Sequence, residues 1–233
     1  RGRCSGWRGR RARSPGWGWG RWGLPAPGQA PPPAVEPSTN PLFTAAEAAI
    51  PAAAPLTLPS EFAQVLSPFT GGAFATGIPG SGAGIAPMAI LERADGRILV
   101  SGGANRGSLW LFDGQGGAAS AATLLAELDQ PVFNLAQDAG GDIWATTGGG
   151  ALLRLDGATG EVLGRYGSGV TMGLAIDPAT GLLYVGTGGG ISTFDPATGR
   201  FEQWSRDENL RVASLAFDRS GRLWAVTWPD RSQ

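Results

Sequence analysis

The stretch Met172-Gly-Leu-Ala-Ile-Asp177, followed by Gly181-Leu-Leu-Tyr-Val185, decides the fold because the same pattern returns along the chain. The other copies are Phe133–Asp138 with Gly141–Ala145, Ala213–Asp218 with Gly221–Ala225, and a weaker one, Met88–Arg93 with Gly96–Val100. Their turn glycines, Gly96, Gly141, Gly181 and Gly221, are spaced 45, 40 and 40 residues apart. Self-similarity at such a period indicates a repeat architecture.

A second half-motif follows each complete copy and extends the repeat. It reads Leu111-Phe-Asp-Gly114, Leu153-Arg-Leu-Asp-Gly157 and Thr193-Phe-Asp-Pro196, and strands Glu161–Tyr166 and Phe201–Trp204 follow the last two. Four short strands per unit of about 40 residues are typical of a β-propeller blade. We therefore predict an all-β, partial β-propeller over residues 85–233, with four blade starts and four-stranded antiparallel blades.

Several repeated side chains have a structural interpretation and a functional alternative. The aromatic column Trp144, Tyr184, Trp224 is expected to pack between blades, and a ligand-binding ladder is the alternative. Aspartates recur at two turn positions of the blades, and they are expected to accept hydrogen bonds from backbone N–H groups. Acid–base or Ca²⁺ chemistry is the alternative. The first set is Asp138, Asp177 and Asp218, and the second is Asp113, Asp156 and Asp195. The glycines at 148–150 and 186–190 are expected to be turns rather than phosphate cradles, because no helix follows them.

Composition excludes several chemistries. The 233 residues contain no His, and all 18 basic residues are Arg. Imidazole bases, His-ligated metals, Schiff-base lysines and the P-loop lysine are therefore absent from this sequence. The single cysteine, Cys4, excludes an internal disulfide and a CxxC zinc site. We predict no catalytic residue, no cofactor and no metal site.

The N-terminal part of the chain differs in composition from the rest. Residues 1–60 are rich in Pro, Gly and Ala and are predicted to be disordered, with a helix limited to about Phe43–Ile50 and trimming by proteases to near Leu58. Residues 1–22 carry seven Arg with Gly and Trp and no acid; we interpret them as disordered or non-native coding rather than as a nucleic-acid-binding segment. Residues 61–84 are a connecting segment that could supply strands of a preceding blade. No run of 18 apolar residues exists, so no membrane span is predicted.

The first residues of each innermost strand should face the central channel of a propeller. These pairs are Met88-Ala89, Phe133-Asn134, Met172-Gly173 and Ala213-Ser214. Asn134 and Ser214 are the best candidates for ligand contacts there, because both carry neutral hydrogen-bonding groups. Neither has an activating neighbour in this column, so binding is expected rather than catalysis.

Two stretches carry a resemblance to known propeller repeats. Residues 181–204 resemble the two-component-regulator propeller repeat, and Leu215–Ala225 resembles the NHL and streptogramin-lyase-like repeats. The resemblance implies closure with six to eight blades and favours an extracytoplasmic location. Streptogramin lyases use a catalytic His that this sequence lacks, and sugar-lactone hydrolases of propeller fold hold a metal with Glu, Asn and Asp. Glu92 and Asn134 are the nearest equivalents of those ligands, but their spacing establishes no site.

These observations favour a non-catalytic interaction or scaffold module of a larger, exported bacterial protein. Its partner would be a protein or a carbohydrate ligand. The alternatives are the ligand-sensing propeller of a two-component regulator and a fragment of a metal-dependent propeller hydrolase or a lyase-like enzyme. Blade faces near residue 85 and after residue 225 are expected to be open, which predicts self-association or continuation of the chain beyond Gln233.

Overall fold

The computed structural model describes residues 41–48, 72–85, 87–205 and 210–227. The chain divides into two units, Arg1–Gly72 and Ala73–Gln233. The first contains helix α1, Pro41–Ala48, which begins two residues before the expected Phe43. Proline is well suited to a first helical turn, since its missing N–H has no partner to lose there. The rest of the segment predicted to be disordered, and residues 61–71, lie outside the described residues.

The second unit begins with a small strand, β1 (Ala75–Thr76), and a complete blade. This first blade is an antiparallel sheet of four strands in the order β2-β3-β4-β6. Their bounds are β2 Ile90–Glu92, β3 Ile98–Gly102, β4 Ser108–Phe112 and β6 Thr123–Glu127. The two-residue strand β5 (Gly117–Ala118) and a 3-10 turn, Ala119–Ala121, lie between β4 and β6.

The second and third blades share one long strand. Their strands are β7 Asn134–Gln137, β8 Ile143–Thr146, β9 Gly150–Leu155, β10 Val162–Ile176, β11 Leu183–Thr187, β12 Gly190–Asp195 and β13 Arg200–Gln203. The first half of β10 is the outermost strand of the second blade, and its second half is the innermost strand of the third. Val170 marks the change, because it pairs with Gly150 on one side and with Thr187 on the other. The strands therefore continue from one blade to the next without a separate loop.

The fourth blade consists of two described strands, β14 (Val212–Phe217) and β15 (Leu223–Thr227). These strands pair in an antiparallel sheet of their own. The described structure is thus an arc of three complete blades and half of a fourth, as the repeats predicted. Strand β2, strand β7, the second half of β10 and strand β14 are the innermost strands.

Apolar side chains fill the space between successive blades. Between the first and second blades the buried residues include Leu99, Leu111, Leu135, Ile143 and Leu155. Between the second and third they are Trp144, Leu152, Val170, Leu174, Leu183, Val185 and Phe194. A smaller cluster of Ala175, Ile191, Val212 and Leu215 joins the third blade to the fourth. Each blade is stabilised mainly by burial against its neighbours.

The first blade has a cover that the sequence did not predict. Strand β1 pairs in parallel with β5, and Phe74 and Ile78 pack on the face formed by Val100 and Phe112. The rings of Phe74 and Phe112 meet edge to face at 5.8 Å. The described part of the connecting segment, residues 72–84, contributes this cover and only one two-residue strand. The expectation of an open face near residue 85 is therefore wrong for the part of the face that Phe74 and Ile78 occupy.

The aromatic column packs as predicted wherever a following blade is present. Trp144 is completely buried between the second and third blades, with the rings of Tyr166 and Phe194 at 5.8 and 5.5 Å. Tyr184 is partly buried and lies 5.1 Å from the ring of Phe217 in the fourth blade. Trp224 is 54% exposed, because no described strand follows β15.

No helix in the described residues is long and apolar enough to cross a membrane.

Candidate functional site

The channel mouth is the end of the arc where the innermost strands begin, and its residues are Met88, Phe133, Asn134, Met172, Ala213 and Ser214. Asn134 is half-buried, and its Oδ1 accepts the N–H of Leu135 at 2.9 Å. Ser214 is exposed and lies opposite Val226 in the fourth blade. The third blade separates these two candidates, so each would contact a ligand from a different side of the mouth.

A third polar residue, Arg106, reaches the mouth from the first blade and was missed by the sequence analysis. It lies in the turn between β3 and β4, which has five residues (103–107), whereas the corresponding turn of the second blade has three (147–149). Arg106 has a φ of +65°, the only non-glycine residue with a positive φ in the described residues. The longer turn, with a charged residue where the other blades have glycine, is the sequence signal that could have revealed it.

The backbone around Arg106 is held by several hydrogen bonds. Its N–H donates to the carbonyl of Gly103 at 3.0 Å, and its own carbonyl accepts the N–H of Val132 at 3.0 Å. The side chain of Asn105 completes the turn by donating to the Leu128 carbonyl and accepting the Gly107 N–H, both at 2.9 Å. These bonds fasten the turn to the segment that links the first blade to the second.

The guanidinium of Arg106 lies on the ring of Phe133, with its Cζ 5.3 Å from the ring centroid. One terminal nitrogen is 3.7 Å from the sulfur of Met88, a weak acceptor. The four ion pairs of the described residues involve other arginines, namely Arg93, Arg97, Arg154 and Arg165. In the described part of the chain, Arg106 is therefore a cation at the mouth without a carboxylate beside it.

Glu92 and Asn134 lie at opposite ends of neighbouring innermost strands. Glu92 is the last residue of β2, and Asn134 is the first residue of β7. Glu92 instead borders a cleft of about 410 Å³ at the far end of the arc, with Gln137, Asp138 and Asp177. No group of three or more His, Cys, Asp or Glu residues within the described ranges is arranged to hold a metal ion. The two residues named as nearest equivalents of hydrolase ligands are not brought together.

The turn carboxylates accept hydrogen bonds from their own turns, as predicted. Oδ1 of Asp156 accepts the N–H groups of Ala158 and Thr159 at 2.8 and 2.7 Å. The bond from the backbone N–H two residues further along the chain recurs at Asp113, Asp138, Asp177, Asp195 and Asp218. Backbone donors of the turn hold the pKa values of Asp156, Asp177 and Asp195 below the usual range. These acids are therefore engaged in stabilising the blades.

Asp218 has the most strongly lowered carboxyl pKa among these turn acids. The hydroxyl of Ser220 is the main cause, followed by the indole N–H of Trp224 and the backbone N–H of Arg222. The three donors approach the carboxylate at 2.7, 2.8 and 2.9 Å. Each bond favours the ionised form, so this acid is a permanent anion at neutral pH.

The glycine-rich segments are turns between the second and third strands of a blade. Gly148 and Gly149 have φ values of +73° and +121°, which side chains rarely adopt. A Cβ at Gly148 would also overlap the ring of Phe133. This close approach explains the glycine, and β9 follows it rather than the helix that a phosphate cradle requires.

The second candidate surface is the open face of the fourth blade, formed by Trp224, Val226 and the unpaired edge of β15. Trp224 is 54% exposed and Val226 is 64% exposed. Strand β15 pairs with β14 on one side, and no described strand pairs with its other side. An edge of this kind offers free N–H and C=O groups to another strand.

No protein-family model matches the sequence, and no curated protein matches it either. Solved structures with a similar fold include the extracellular domain of BT4673 from B. thetaiotaomicron, described as a hybrid two-component system (15% identity, 60% of this chain, 22% of that chain, TM-score 0.47). Streptogramin B lyase is similar over 66% of this chain and 51% of its own, at 19% identity and a TM-score of 0.49. Virginiamycin B lyase from Staphylococcus aureus shares 16% identity over 61% of this chain and 49% of its own, with a TM-score of 0.45.

These structures are of the kinds that the repeat resemblance named. The chain spans about a fifth of the length of the BT4673 domain. At these sequence identities the similarity concerns the fold, and the activities of the matched proteins are not assigned to this chain.

Proposed function

We propose that this chain is a non-catalytic interaction module, which binds a partner through the open face of its fourth blade. The observation that carries the proposal is the exposure of Trp224 at a position whose equivalent, Trp144, is fully buried by the next blade. A large aromatic side chain exposed on an apolar sheet face is typical of an interaction surface. On this proposal the module belongs to a larger, exported bacterial protein, in keeping with the repeats it resembles.

The partner that fits the unpaired edge of β15 is a second copy of the chain. The fourth blade has two described strands, whereas each complete blade has four. Antiparallel pairing of two β15 strands about a two-fold axis would give the order β14-β15-β15-β14 across the two copies. Such an interface is self-complementary, as closed dimers require. It would satisfy the free backbone groups of the edge and complete a sheet of four strands.

The non-catalytic part of the proposal is supported by the use of the turn carboxylates. The acids that recur in the blades accept backbone N–H groups of their own turns, so their lone pairs are directed into the turns. At the channel mouth the candidates Asn134 and Ser214 are a neutral amide and a hydroxyl. These groups suit hydrogen bonding to a ligand better than proton transfer at neutral pH.

Sedimentation equilibrium of the full chain tests the proposed surface. Wild-type protein is expected to form a dimer that dissociates on dilution. Val226→Lys is expected to be monomeric, because the substitution places a charge on the edge strand next to the proposed pairing partner. Leu163→Lys is the matched control, since Leu163 is 50% exposed on the outer strand of the complete second blade; this variant should dimerise like the wild type.

Three results would overturn the proposal or a part of it. A wild-type chain that stays monomeric at all concentrations would remove the second copy as the partner, and association that survives Val226→Lys would place the interface elsewhere. For the non-catalytic part, turnover of a lactone by the purified chain that is lost in Asn134→Ala would contradict the proposal.

A second candidate function is ligand sensing, as in the propellers of two-component regulators. One observation favours it, namely the Arg106 guanidinium at the channel mouth, which pairs with no carboxylate in the described residues. Sensing would use the mouth, whereas the interaction proposed above uses the fourth blade. Binding of small ligands by the monomeric Val226→Lys variant would separate the two roles.

A further inference from the structure

Arg106 stands out in the mouth because its backbone conformation is one that arginine rarely adopts. A φ of +65° is found mostly at Gly, Asn and Asp, and Arg106 lies between Asn105 and Gly107 in the same turn. Strained positions persist where the surrounding structure fixes them, and they concentrate at functional sites. Here the bonds to Gly103 and Val132 fix the backbone.

This backbone conformation places the guanidinium where its charge is not neutralised. One face lies on the Phe133 ring, and one terminal nitrogen contacts the Met88 sulfur, while the side chain as a whole is partly exposed. The Phe133 ring and the Met88 thioether are weak acceptors, so most of the five N–H donors of the guanidinium are left for other partners. The stacking limits the motion of the guanidinium plane, so less side-chain entropy is lost when a ligand binds.

A structural role in the turn does not explain why an arginine stands at position 106. A Gly or Asn at position 106 would form the same backbone bonds without the strain, since those bonds use only the main chain. The ring of Phe133 already lies close to Gly148 of the neighbouring turn, whatever residue stands at position 106. The charged side chain therefore adds something that the fold of the turn does not need.

We infer that Arg106 is the anchor of an oxyanion-binding site at the channel mouth, which takes the carboxylate or phosphate group of a small ligand. A planar guanidinium binds both groups through two parallel N–H···O bonds. Met88, 37% exposed beside it, offers an apolar contact to the rest of the ligand. This site lies on the first and second blades and does not depend on the interaction proposed for the fourth.

NMR titration of the full chain with sodium acetate and with sodium phosphate, at an ionic strength held constant with sodium chloride, tests the site. The signals to follow are the Nε–H of Arg106 and the backbone amides of Val132 and Phe133. Saturable shifts of these signals are expected, and the stronger anion identifies the preferred group. The titration is repeated in the Val226→Lys background, so that self-association does not affect the result.

Two variants identify Arg106 as the source of the shifts. Arg106→Asn keeps a residue that tolerates positive φ, so the turn should fold. It is expected to weaken binding about tenfold or more at the Val132 and Phe133 amides, as the loss of charge-assisted bonds implies. Arg97→Gln is the matched control, because Arg97 is an exposed arginine of the same blade that already pairs with Asp95 at 2.7 Å.

The proposal would be overturned by shifts that do not saturate, or by Nε–H shifts that are equal at Arg106 and Arg97, since both results indicate general screening. It would also be overturned if Val132 and Phe133 respond equally in Arg106→Asn and in the wild type. If Arg106→Asn fails to fold, Arg106→Lys keeps the charge and loses the planar fork. Weaker binding in that variant supports the site, and unchanged binding contradicts the bidentate contact.

Discussion

The indole Nε1 of Trp144 donates a hydrogen bond to Oδ2 of Asp138 at 2.8 Å, while the ring of Trp144 is completely buried between two blades. The fourth blade repeats the bond, from Trp224 to Asp218 at 2.8 Å, yet the Trp224 ring is 54% exposed. The two tryptophans thus share a blade position and a hydrogen bond and differ in burial. Comparing substitutions of the two tryptophans therefore separates the energy of packing between blades from the energy of the hydrogen bond.

Trp144→Ala is expected to reduce the free energy of unfolding by about 3–5 kcal/mol, because it removes a large side chain from a closed interface. A loss of this size is comparable to the whole stability of a small domain. Urea denaturation followed by circular dichroism measures it.

Trp224→Ala is the control for that experiment and should cost only about 1 kcal/mol, mainly through the lost bond to Asp218. Equal losses in the two variants would contradict the assignment of Trp144 to packing between blades. A ligand-binding role for Trp144 would instead show as lost binding with unchanged stability.

The residues that repeat could be placed from the sequence, and those that occur once could not. Gly141, Gly181 and Gly221 fix the hairpin turns, and Asp138, Asp177 and Asp218 fix their hydrogen bonds, because every blade meets the same steric requirement. Trp224 was expected to pack between blades like Trp144, but it is 54% exposed, because no described blade lies against its face.

The positions and contacts of Arg106 and Phe74 were not predicted from the sequence. The turn of Arg106 is longer than those of the other blades, so the repeat gives no template for its conformation. Phe74 precedes a two-residue strand, which is too short to produce an alternating pattern, and its contact with Phe112 joins residues far apart in sequence. Asn134 and Ser214 could be assigned to the mouth, because the repeat gives the position of each innermost strand. The repeat gives no information about the ligand that they would contact.

Acid should destabilise the blades through their turn aspartates. The lowered pKa values of Asp156, Asp177, Asp195 and Asp218 mean that the folded state favours the ionised carboxylates. Their contribution is complete above the pKa of an unfolded aspartate, about 3.9, and is lost as the pH falls from there towards the lower folded values. Urea midpoints measured between pH 6 and pH 2.5 should therefore decline mostly below pH 4.

The substitution Asp218→Asn should flatten this acid dependence. It removes the carboxyl whose pKa is most strongly lowered and keeps a side chain that can accept part of the turn bonds. Glu202→Gln is the comparison, since Glu202 is exposed and its carboxylate accepts no hydrogen bond within the described residues. An identical pH profile for Asp218→Asn and the wild type would show that this turn does not contribute to acid stability.

The contact between two turns of the second blade gives the last prediction. Gly157 is buried, and a Cβ there would overlap the carbonyl oxygen of Gly141, which also accepts the side-chain N–H of Gln137 at 2.9 Å. Gly157→Ala should therefore push the two turns apart and cost about 1–3 kcal/mol, the usual penalty for overpacking. Gly188→Ala is the matched control, because its Cβ would meet no atom within 4 Å, and its stability should lie within about 0.5 kcal/mol of the wild type. Urea denaturation of both variants decides the matter, since a Gly157→Ala chain as stable as Gly188→Ala would mean that the two turns of this blade are not packed against each other in solution.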